Sequence, residues 1–243
     1  MNRPLRPSRL PQTHAKLVLV SGEYPQLTRG LEQMDIIPLV TAQDKRLPLQ
    51  VAWHPDMQAC ELGGKLFVLR DGPLSCILGQ YSLDFCETNQ TPGNSYPSDA
   101  ICNVLSWGQF AMGNLRVADR IIRDAAADFV WISVKQGYAA CSATLVDEHT
   151  AITADNGVAS QLERHGIETL RITPGHILLP GYSTGFFGGC CGKIAPDVMA
   201  FAGQLESHPD GQRIRGFLRA HNVREVELFE GSLLDVGGLL AFS

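Results

Sequence analysis

The sequence predicts an α/β fold in which five strand-and-helix units close into a ring around a central site. Three observations carry that prediction. First, a segment running through His165, Gly166, Ile167, Leu170, Ile172, Gly175 and Leu178 recurs 56 residues later, without a gap, as His221, Asn222, Val223, Val226, Leu228, Gly231 and Leu234. Second, polar or Gly-rich turns precede apolar stretches at His54 to Gly64, Tyr96 to Asn103, Gln136 to Ser142, Tyr182 to Gly192 and Gly231 to Gly238, with starts 42, 40, 46 and 49 residues apart. Third, the 243 residues are 44% hydrophobic and 19% charged with 24 glycines, which describes an ordered chain.

Taken from the N-terminus, residues 1–14 hold Arg3, Arg6, Arg9 and three prolines and read as a poorly ordered tail; residues 15–243 read as one domain. Tyr24 to Met34 suits a short helix, Ile36 to Val40 a strand and Leu47 to Trp53 a second strand. Asp155 or Asn156 caps a helix that buries Val158 and Leu162 and stops at Gly166, where a left-handed residue is easily accommodated. Asp210 caps the corresponding helix, burying Ile214, Phe217 and Leu218, with Asn222 as its stop. Alternating strands follow at Ile167 to Ile172 and Val223 to Leu228. The repeating unit is helix, strand, turn, strand. Such a unit cannot bury both faces of its sheet alone, and an array without caps removes its edges by closing on itself.

Composition narrows the function classes. A net charge of -5 and no basic run exclude the electrostatic footprint of nucleic-acid binding. No run approaches the roughly 18 apolar residues of a membrane span, and the N-terminus lacks the apolar core of a secretory signal, so a cytoplasmic protein is expected. The seven cysteines, at 60, 76, 86, 102, 141, 190 and 191, form no Cys-x-x-Cys pair, and neither a metal nor a disulfide framework is expected. Closing the ring brings the inner-turn residues together: His54, Asp56, Asp99, Asn103, Cys141, Cys190, Cys191 and Asp235. Adjacent Cys190 and Cys191 would point to opposite faces if extended. Gly185, Gly188, Gly189 and Gly192 signal close backbone approach, to a ligand or within the ring centre.

These residues resemble a known superfamily. A ring of five ββαβ units with carboxylates, histidine and cysteine at its axis is similar to the pentein fold of the guanidino-group-modifying enzymes. The resemblance runs from about residue 15 to the end, and is nearest to a bacterial group within that fold. It is carried by His54-Pro55-Asp56-Met57-Gln58, by Lys135-Gln136-Gly137-Tyr138 with Cys141-Ser142, by Ile152-Thr153-Ala154-Asp155, by Gly185-Phe186-Phe187-Gly188-Gly189 and by Leu234-Asp235-Val236-Gly237-Gly238. It implies a cysteine-dependent hydrolase or amidinotransferase acting on a small guanidino or amidino compound through a covalent thiouronium, without cofactor. Cys141 or Cys190 would be the nucleophile and His54 the general acid/base. Asp56, Asp99, Asn103 and Asp235 would hold the ligand, and a homodimer is allowed. The alternative is a pentein-shaped binding or scaffold protein without turnover. One departure favours that alternative: characterised members carry the cysteine in the last unit, which here reads Leu233-Leu234-Asp235-Val236-Gly237-Gly238-Leu239. His54-Pro55-Asp56 is also echoed by His208-Pro209-Asp210, which reads only as a helix start.

Overall fold

The computed structural model describes residues 5–243. In chain order its elements are β1 (Pro7–Ser8), β2 (Leu17–Val20), α1 (Pro25–Glu32), β3 (Ile37–Val40), α2 (Pro55–Gln58), β4 (Ala59–Leu62), β5 (Lys65–Val68), α3 (Pro73–Gln80) and β6 (Cys86–Glu87). There follow β7 (Leu105–Trp107), β8 (Phe110–Gly113), α4 (Arg120–Ala125), β9 (Val130–Ser133), α5 (Ala139–Ser142), β10 (Ala143–Leu145), β11 (Thr150–Thr153), α6 (Asn156–Arg164) and β12 (Glu168–Arg171). The last are β13 (Cys191–Ala195), β14 (Val198–Phe201), α7 (Gly211–Ala220), β15 (Arg224–Glu227) and β16 (Leu240–Phe242).

The strands form five small sheets, each built alike. In the blade of β10, β11 and β12, the first two strands pair antiparallel and the third returns parallel to the second after crossing over through α6. The same order recurs in β4-β5-β6, β7-β8-β9 and β13-β14-β15. The fifth blade takes its first strand from the C-terminus: β16 pairs antiparallel with β2, and β3 lies parallel to β2. This pairing ties the two ends of the chain together and completes the predicted five-fold α/β propeller.

Blade geometry follows from a shared helix ending. After α6, Gly166 takes φ +78° while the Gly166 and Ile167 amides donate back to Glu163 and Leu162. After α7, Asn222 takes φ +57° and the Val223 amide donates to Leu218. Asp35 after α1 and Ser82 after α3 repeat the arrangement, with Ile36 and Leu83 reaching back to Leu31 and Leu78. A left-handed residue at this point satisfies orphan carbonyls and turns the chain directly into the parallel strand. At the other end of α6, the Asp155 carboxylate accepts from the Gly157 and Val158 amides, which resolves the two candidate caps in favour of Asp155. Val158, Ala159 and Leu162 face the core. Asp210 precedes α7 but its side chain makes no capping bond there; it accepts instead from the Thr173 amide and from Arg213.

Two further expectations are corrected. Leu47 to Trp53 is not a strand: Leu49–Val51 forms a 3-10 turn after Pro48, and the segment enters α2 through Pro55. Two prolines remove backbone donors that a central ladder needs. Its apolar side chains are used in a core instead, where Leu47, Val51 and Ala52 join Met57 and Cys60. The tail is likewise structural over its described part, because Pro7 and Ser8 pair with Phe242 and Ala241 on the free edge of β16. Residues 1–4 lie outside the described residues. Among the described residues, no helix is long and apolar enough to cross a membrane.

Removing the α6 cap tests the helix ending. Asp155→Ala is expected to lower stability by about 1 kcal/mol, seen as a lower urea midpoint with unchanged slope.

Candidate functional site

The segments entering the first strand of each blade meet at the ring axis. α2 is a single turn started by Pro55 and anchored by Gln58, whose Nε2 donates to the Ala42 and Ala52 carbonyls, both at 2.8 Å. It delivers Asp56 to the centre, and its Asp56 amide donates to the Gly237 carbonyl at 3.3 Å. α5 delivers Cys141. The turn is capped from another blade, since Asn103 Oδ1 accepts from the Ala140 and Cys141 amides at 2.7 and 3.4 Å. Asn103 Nδ2 in turn donates to the Asp56 carbonyl and approaches Cys141 Sγ, each at 3.2 Å. The Cys141 thiol donates to Asp56 Oδ2 at 2.7 Å.

Asp235 closes the opposite side. Its Oδ2 accepts from the Phe186 amide at 2.8 Å and its Oδ1 from the Gly237 amide at 3.1 Å, with His54 Nδ1 3.7 Å from Oδ1. Backbone approach here is close: a Cβ on Gly189 would fall 2.0 Å from Asp235 Oδ1, and one on Gly237, at φ +76°, 2.4 Å from His54 Cβ. Above them Tyr138 donates its hydroxyl to Asp99 Oδ2 at 2.7 Å, and its ring meets Tyr96 and Phe186 at centroid separations of 5.1 and 5.9 Å.

The expected site residues therefore divide. His54, Asp56, Asn103, Cys141 and Asp235 are linked by the contacts above, and Asp99 stands behind Tyr138. Cys190 belongs to a blade core with Met199, Phe201 and Leu233, and its thiol reaches the Phe187 carbonyl at 3.0 Å. Cys191 reaches that same carbonyl at 3.3 Å, so the two sulfurs do not face opposite ways. The reason is that Cys190 ends a 3-10 turn and only Cys191 begins the strand. Sequence reasoning missed Tyr138 as a partner of Asp99. It also missed Arg9, which donates to the Leu239 carbonyl at 3.4 Å from within the segment read as tail. Nothing local marked Arg9, whereas Tyr138 stood three residues before Cys141.

Burial dominates the electrostatics. None of these six residues is more than 3% exposed. Burial, then the charge of Asp235, pushes the Asp56 carboxyl up to about 7, against the Cys141 bond and the Arg9 charge. Burial and the Asp56 and Asp235 carboxylates push the Cys141 thiol well above its ordinary value. Burial lowers His54 against the pull of Asp235, keeping its ring neutral, and raises Asp99 against the Tyr138 bond. Three of the buried polar atoms left without partners belong to these six residues: His54 Nε2, Asp56 Oδ1 and Asp99 Oδ1. No group of three or more His, Cys, Asp or Glu there is placed to hold a metal.

The family of unknown function DUF6873 matches residues 19–240, nearly the whole ring. The chain belongs to this family. No curated protein sequence matches it. Solved structures do. The inosamine-phosphate amidinotransferase of Streptomyces griseus matches 96% of this chain with 97% of its own, at 10% identity and a TM-score of 0.58. Agmatine deiminase of C. jejuni matches 91% with 89%, at 9% identity and 0.54. The DDAH of Pseudomonas aeruginosa, solved with citrulline, matches 88% with 92%, at 10% identity and 0.53. At such identity the shared property is the pentein ring, and this DUF6873 chain has that fold.

Two outcomes test the centre. Gly237→Ala forces a side chain into His54 from a left-handed backbone, and is expected to cost about 3 kcal/mol or more in chemical denaturation. The raised Asp56 pKa means that the folded state binds the extra proton, so stability present below pH ~4 is lost as pH rises to about 7. Asp56→Asn is expected to flatten that slope, gaining on the parent chain by a few kcal/mol between pH 4 and pH 8.

Proposed function

We propose that the ring centre binds the cationic end of a small guanidino or amidino compound and that Cys141 attacks its central carbon. The observation that carries this reading is the pairing of the Cys141 thiol with Asp56 Oδ2 at 2.7 Å, beside an Asp56 Oδ1 that is buried and unpartnered. A planar cation offers N–H groups in a fork that such a carboxylate accepts. It also supplies the positive charge needed to lower both the Asp56 and the Cys141 pKa, which burial and neighbouring carboxylates now hold up.

The chemistry balances on this set. Asp56 takes the thiol proton as the sulfur–carbon bond forms and gives it to the departing amine as the carbon–nitrogen bond breaks. Neutral His54 takes a proton from the water that adds to the resulting thiouronium and returns it to the sulfur as the carbon–sulfur bond breaks, which releases Cys141 as the thiol, a urea product and a proton that the freed amine takes up. Cys190 drops out as nucleophile, because its sulfur is committed to the Phe187 carbonyl. The pentein neighbours named above support the class of ligand. A second reading, a binding protein without turnover, is favoured by the thiol's elevated pKa and by the complete burial of the centre.

Chloroacetamidine, a small cationic alkylator, separates the readings. Peptide mass spectrometry is expected to find Cys141 modified at least about tenfold faster than by iodoacetamide, with the effect lost in Asp56→Asn. Alkylation confined to the exposed Cys76 and Cys86 would overturn the enzyme reading.

A further inference from the structure

The segment 173–186, between β12 and the turn at Gly188–Cys190, crosses the ring centre. It leaves its blade through Gly175 at φ +90° and His176 at φ +64°. Leu178 then bridges to Leu234, donating to the Leu233 carbonyl and accepting from the Asp235 amide, both at 2.8 Å. Leu179 is buried on the far side with Val51 and Met57. Beneath this segment lies a cavity of about 190 Å³, walled by Ser142, Ile172, Ile177, Phe186, Phe187 and His208. It adjoins the centre at two points. Ser142 follows Cys141, and the Phe186 amide holds Asp235 Oδ2.

His208 is one of four polar side chains on that wall, with Ser142, Asp155 and Thr184. It is 3% exposed, and its Nδ1 accepts the Asp210 amide at 3.1 Å. A ring nitrogen that accepts carries no proton, so the neutral ring bears its proton on Nε2. Burial, with the neighbouring His176 ring, keeps the ring neutral against the pull of Asp210 and the Thr173 carbonyl. Nε2 is buried, and although the Thr173 carbonyl attracts its proton, no acceptor among the described residues meets it in hydrogen-bond geometry. An N–H donor left this way is costly unless something accepts from it. The resemblance of His208-Pro209-Asp210 to His54-Pro55-Asp56 ends at this point: the Asp56 amide goes to Gly237, whereas the Asp210 amide goes to its own histidine.

We propose that this cavity binds the non-reacting end of the ligand, with His208 Nε2–H donating to a neutral acceptor such as a carbonyl or hydroxyl. That the other end is a guanidino group rests on the function proposed above; the cavity and its donor do not. A cavity of about 150 Å³ accepts benzene, so a small ring fits. No lysine or arginine is among the residues lining the cavity, and Asp155 is one of them, so an anionic end is disfavoured. The ligand class is a guanidino compound with a compact, uncharged, mostly apolar end, distinct from one ending in an amino-acid carboxylate.

Cyclopentanone and cyclopentanecarboxylate, titrated into the full chain and followed by the Ile172 and Ile177 methyl resonances of the cavity wall, test this. Cyclopentanone is expected to give a saturable shift, equal in Cys141→Ala. Cyclopentanecarboxylate should bind at least about tenfold more weakly. His208→Phe should weaken cyclopentanone by about tenfold, the loss of one hydrogen bond, and His208→Gln, which keeps a donor, should restore most of it. Absence of a saturable shift, equal affinity in His208→Phe, or preference for the carboxylate would overturn the proposal. Cyclopentanone binding without chloroacetamidine labelling of Cys141 would leave the cavity standing and remove the guanidino reading; the converse result would do the reverse.

Discussion

The constraint on which this molecule depends is the exclusion of water from the axis where five chain segments meet. Polar groups delivered there must satisfy one another across blade boundaries. The Asn103 amide does so most extensively: one side chain caps α5, holds the Asp56 carbonyl and contacts the Cys141 sulfur. Such a network is worth having only if nearly complete, because a buried polar group without a partner costs more than a satisfied one contributes. The partnerless atoms of His54, Asp56 and Asp99 stand out against that background as the places where a ligand would repay what the fold has left open.

The same exclusion sets the chemistry. Two carboxylates and a thiol without water cannot all be ionised, and the protein resolves this by holding protons on Cys141 and, up to about pH 7, on Asp56. On the function proposed above, a site poised this way is inert until a cation enters, and burial links recognition to activation: the group that binds best is also the one that would free the sulfur to react.

Much of the ring was legible in the sequence because its periodic features are local. Gly166 and Asn222 marked helix ends by their ease in left-handed conformations, and both take them. The equivalent Asp35 and Ser82 were not read, since aspartate and serine are common everywhere and signal that conformation only weakly. Leu47 to Trp53 was misread because an apolar run flanked by prolines has the composition of a strand; whether such a run forms a ladder depends on what lies beside it. The inner turns were found as polar or Gly-rich stretches recurring ahead of apolar ones, and five of the residues they supplied, His54, Asp56, Asn103, Cys141 and Asp235, do meet.

By itself the sequence determined the unit, its five-fold repetition and the residue types collected at the axis, because turn chemistry and hydrophobic period act over a few residues. Only the tertiary structure distinguished the surroundings of the cysteines. Cys141 and Cys190 lie in similar small-residue surroundings, yet one is held by Asp56 and Asn103 from other blades and the other by a carbonyl three residues away. It alone decided also that the Arg9 segment is part of the ring, that β16 closes it, and that His208 keeps an unused donor beneath the crossing segment. Each of these depends on residues brought together from far apart in the chain, and no local pattern records such a meeting.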